Sequence, residues 1–136
     1  MNYYPNFNYM NMYSNFISKE SNELFEPYEG LIRGNLFKKS YDPYKIKEPY
    51  EIKPINEQAR MLTEIDSLCF AMTDLNLYLD IFPNDQEKIN LFNQYRVKKE
   101  KLTKEYENKY GPLTMDSESL NKTPWAWNNL PWPWSN

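Results

Sequence analysis

Apolar residues form a helical stripe through the middle of the chain. Met61, Ile65, Leu68, Met72, Leu75, Leu79 and Phe82 step alternately by four and three, a heptad-type spacing. Glu64, Asp66, Thr73, Asp74 and Asp80 fall off that stripe. The pattern predicts one helix from Asn56 to about Ile81, roughly 40 Å long at ~1.5 Å per residue. Asn56 is placed to cap its start, Glu57 sits near the positive end of the dipole, and Pro83 stops it.

A second helix follows after about three residues. Asn84 or Asp85 supplies its cap, with Gln86 and Glu87 in the first turn. Ile89, Phe92, Leu102 and Tyr106 give its apolar face, with Tyr95 and the stem of Lys99 bridging a weaker middle. Gly111 suits the position just past the end, and Pro112 forbids continuation. So short a connection makes the helices antiparallel neighbours, an αα-hairpin over residues 56–111. One seam is little to bury for a unit of that size, and neither a disulfide nor a metal cluster is available as a staple. The missing burial is expected from the C-terminal tail folding back or from another chain.

The flanks read differently. Residues 1–26 form an Asn/Tyr-rich head, uncharged through residue 18, of a composition that orders poorly alone and self-associates. Residues 27–55 are punctuated by Pro27, Pro43, Pro49 and Pro54, which leaves room only for a short helical turn within Gly30–Ser40. Residues 112–136 are a Trp/Pro tail carrying Pro124-Trp125-Ala126-Trp127 and Pro131-Trp132-Pro133-Trp134. The fold class is therefore mostly α, a two-helix hairpin with extended, aromatic-rich N- and C-terminal segments.

Composition narrows the chemistry. The 136 residues include no His, one Cys and three Gly. The commonest catalytic base and transition-metal ligand is thus missing, as are a cysteine zinc site and a glycine-rich phosphate loop. Cys69 lies beside the apolar stripe with no His to activate it. Asp66, Asp74, Asp80 and Glu64 crowd one helix without a calcium-loop glycine, and read as a solvated face. No cofactor, metal or catalytic residue is expected. The net charge is −3, and the densest basic run, Lys98 to Lys104, is interleaved with acids. It reads as a solvated helix face with pairs such as Glu100–Lys104 and Glu105–Lys109, leaving no footprint for nucleic acid. The first residues lack a basic signal-peptide start, and no stretch approaches the ~20 apolar residues of a membrane span.

Aromatic residues make up 17% of the chain, with 12 Tyr and 4 Trp. Each Trp pair has spacing two, which in an extended or polyproline segment puts both rings on nearly the same side. Such rings grip a partner, pack across the hairpin as core, or stack on a sugar or single-stranded DNA. The last use lacks a basic groove beside them. Trp125, Trp127, Trp132 and Trp134 are the first candidates for association, with Tyr41 and Tyr44 second.

Three stretches resemble a known family. Asp74-Leu75-Asn76-Leu77-Tyr78-Leu79-Asp80, Phe82-Pro83-Asn84-Asp85 and Lys104 through Leu113 are similar to the CotJB-type spore coat proteins, as are the closing Trp pairs. The likeness runs from about Asn56 to the C-terminus. It departs at Phe82, where many relatives carry His; any chemistry of that His has been given up here. Leu31-Ile32-Arg33-Gly34-Asn35-Leu36-Phe37 with Tyr41-Asp42-Pro43-Tyr44 resembles the closing motif of CotJA-type coat proteins, implying a CotJA-like segment (residues 27–44) fused ahead of the CotJB-like domain.

The resemblance implies a non-enzymatic structural or assembly protein of the bacterial endospore coat, made in the mother-cell cytoplasm. It implies association with a manganese-catalase-like coat protein, which would hold any manganese, and with other coat proteins, while self-association stays open. The alternative is an adaptor or chaperone for the catalase-like protein that is not retained in the mature coat.

Overall fold

The computed structural model describes residues 24–38 and 49–128. Within them run α1 (Pro27–Arg33), α2 (Glu57–Ile81), α3 (Gln86–Tyr110) and two single 3-10 turns, Glu118–Leu120 and Ala126–Asn128. Among the described residues the architecture is helical, the one β feature being an isolated antiparallel bridge between Leu24 and Phe37. None of these helices is long and apolar enough to cross a membrane.

The hairpin follows from its caps. Asn56 is extended and its side-chain oxygen accepts the Ala59 N–H at 2.7 Å, so α2 starts where the sequence places it. Phe82 ends the helix, its N–H still bonded to the Tyr78 carbonyl at 3.0 Å, and Pro83 prevents another turn. Of the two candidate caps for α3, Asp85 is the one used. One carboxylate oxygen accepts the Lys88 N–H at 3.1 Å, and the other accepts the Tyr78 hydroxyl at 2.9 Å. Asp85 therefore ties the last turn of α2 to the first turn of α3. At the far end Gly111, with φ of +119°, leads the chain out of α3.

The core has two foci along α2. Met61, Ile65 and Tyr106 are buried at one end, with Leu62, Cys69, Leu102 and Leu113 against them. Leu36, Ala71 and Leu75 are buried at the other, with Leu91, Phe92 and Tyr95 from α3. This departs from the predicted stripe. Ala71 and Tyr78 are buried, whereas Met72, Leu79 and Phe82 are only half-buried. The reason is that α2 is covered on two sides, by α3 and by residues 24–37, so its buried face is wider than one helix seam. On α3 only Lys88 and Tyr106 are fully buried, and Ile89, Phe92 and Leu102 stay half-covered.

The N-terminal side supplies burial that the sequence led one to seek in the tail or another chain. Pro27 opens α1 at a position where its missing N–H costs nothing, and Gly34, at φ of +72°, closes it in the left-handed conformation. The helix thus lies earlier than expected, and Leu36 and Phe37 follow it outside the helix, at a bend and an isolated bridge. The Phe25 N–H donates to the Leu36 carbonyl at 2.9 Å, closing residues 24–37 into a loop. Leu36 is 0% exposed, and a Cβ on buried Gly30 would meet its Cδ1 at 3.2 Å, so any larger residue there would have to push the Leu36 side chain aside by a few tenths of an ångström. Phe37 stacks on Tyr78 at 5.2 Å, and Tyr78 meets Phe82 in a tilted contact at 4.8 Å.

Candidate interaction surface

Asp74 is not the solvated carboxylate its sequence context implies. Its Oδ2 accepts the Leu36 N–H at 2.8 Å and latches the N-terminal loop to α2. Asp80 is exposed, and Glu64 pairs with Lys98 on α3 at 3.1 Å and with Arg60 at 3.6 Å. Among the described residues no group of three His, Cys, Asp or Glu side chains is placed to hold a metal ion. Of the expected surface pairs, Glu100–Lys104 forms at 3.3 Å. Lys109 instead reaches Glu57 across the hairpin at 2.8 Å, because antiparallel packing sets the end of α3 beside the start of α2. That contact holds Glu57 below the usual carboxylate range and raises Lys109.

Groups at the hairpin corner are also displaced from their ordinary titration ranges. Burial pushes the Tyr78 hydroxyl up to about 12, and the Asp85 carboxylate beside it adds to the shift. Burial alone would raise Asp85, yet the Lys88 N–H, the Tyr78 hydroxyl and the Lys88 charge together hold it low.

The start of the tail is anchored. The Leu113 N–H donates to a Glu107 carboxylate oxygen at 3.0 Å, and its side chain joins the Met61–Ile65–Tyr106 focus. Leu120 and Ala126 are buried in the two 3-10 turns, which pack on each other. The first Trp pair is not extended, contrary to the spacing argument. Residues 126–128 turn at about three residues per turn, so positions two apart do not share a side. Trp125 is 59% exposed, while Trp127 is half-buried and engaged within the chain. Trp132, Trp134, Tyr41 and Tyr44 lie outside the described residues.

Between α2, α3 and residues 113–118 lies an open groove of about 950 Å³. Leu62, Ile65, Cys69, Met72 and Leu113 give it an apolar wall. Arg96, Lys99 and Lys104 stand on the α3 side, and carboxylates outnumber these cations five to three. Burial raises Asp66 on its edge, and the Thr103 hydroxyl in its lining is buried with no hydrogen-bond partner. Sequence reasoning missed this groove. Met72 was the available signal, an apolar position in the stripe that turns out to lie beside the seam.

The unit that carries these features spans the hairpin and the tail together, and the model of the family described as CotJB protein matches residues 59–135. The chain belongs to the CotJB family. CotJB proteins are spore coat proteins. The match leaves out residues 27–44, so the CotJA-like segment forms no part of it. No curated protein and no solved structure matches the chain.

Proposed function

We propose that this CotJB protein is a non-enzymatic building block of the endospore coat, whose rigid hairpin presents a Trp/Pro tail to neighbouring coat proteins. The observation that carries the reading is the reach of the family match, which takes in the tail as well as both long helices. The exposed ring of Trp125 supports it, since Trp is the residue type most often found at the energetic centre of an interface. The absence of His from the sequence supports a division of labour, in which chemistry belongs to a partner.

The partner in this reading is a manganese-catalase-like coat protein, as the resemblance implies. Trp125, Trp127, Trp132 and Trp134 are the anchors, with Tyr41 and Tyr44 as secondary contacts. The likeness of residues 27–44 to CotJA adds a proposed origin for the N-terminal loop, a CotJA-like piece fused to the domain it packs on. Co-expression with the catalase-like protein tests the anchors. Replacing all four Trp by Ala is expected to abolish co-purification, and retained binding would remove the tail from the mechanism.

A further inference from the structure

We propose that the groove between α2 and α3 receives Trp125 of a second copy, so that CotJB chains join head to tail. The inference rests on the reading of the tail as adhesive and names one of its partners. Trp125 does not line its own groove. It directly precedes the buried Ala126 and is 59% exposed. Among the described residues, an exposed indole ring and an open groove with an apolar wall thus occur at different places on one chain.

Their chemistry matches. The wall of Leu62, Ile65, Cys69, Met72 and Leu113 suits an indole ring. Lys99 in the lining adds a cation, and cations are attracted to an indole face. Residues 121–128 carry Lys122 as their one charge, opposite a groove with an excess of carboxylates. A contact between unlike surfaces of identical chains is heterologous, so it repeats from copy to copy and builds open arrays unless the rotation closes a ring.

The test is sedimentation velocity on the purified full chain over a concentration series. Wild type is expected to grow beyond a dimer. W125A and M72E, which places a charge in the groove, should each sediment as monomers. An equimolar mixture of the two should form one-to-one dimers and nothing larger, because one variant keeps its groove and the other its Trp125. Far-ultraviolet circular dichroism checks that M72E is folded, and K99E serves as a second groove variant. A wild type that stays monomeric, a W125A that associates like wild type, or a mixture that stays monomeric would each overturn the contact. Co-purification with the catalase-like protein separates the two ideas: its loss in the four-Trp variant with a monomeric wild type keeps the adhesive tail and removes self-association.

Discussion

Asp74, Tyr78 and Asp85 show how single side chains set the form of this molecule. Asp74 accepts a backbone N–H from 38 residues earlier in the chain, so D74A leaves the Leu36 amide without its partner. The expected cost is about 1–3 kcal/mol in urea unfolding, with loss of hydrogen-exchange protection at that amide. Tyr78 donates to an ionised Asp85, and Y78F should cost roughly 1.5–3 kcal/mol at neutral pH. The pH dependence has a definite sign. Asp85 is held low in the fold, so its contribution is present above the unfolded value of about 3.9 and is lost as pH falls through the folded one. Tyr78 is raised, so the unfolded chain ionises first and stability falls as pH climbs from about 10 toward about 12. Denaturant midpoints across pH should show both slopes in wild type, and the alkaline one should be shallower in Y78F, with the part due to raised Tyr95 and Lys109 remaining.

At the level of elements, the hairpin was written in the sequence and the N-terminal loop was not. Capping by Asn56 and Asp85, the stop at Pro83 and the exit at Gly111 are local signals, each read within a few residues of where it acts. The seven-residue α1 is too short to show a period, and what holds it is non-local: Leu36 against Ala71 and Leu75. The same contact widened the buried face of α2 and moved Met72 to the groove. L36A is therefore expected to cost about 2–5 kcal/mol, while M72A on the groove side should cost far less. Thermal unfolding of both variants checks the contrast. In the tail, the pair spacing implied rings on nearly the same side, but residues 126–128 form a 3-10 turn, with Ala126 buried and Trp125 exposed.

As a whole, the described molecule is a CotJB hairpin braced by its own N-terminal loop, with an exposed Trp125 and an open groove between α2 and α3. Its family places it among spore coat proteins. The proposal is that it stays in the coat and acts there through its tail. Mass spectrometry of washed, purified spores tests this most directly, comparing strains that make the wild-type chain or the four-Trp-to-Ala chain. The wild-type protein should be recovered in the coat extract together with the catalase-like protein, and the variant should be depleted from it. A wild-type chain present in the mother cell but missing from the mature coat would contradict the account.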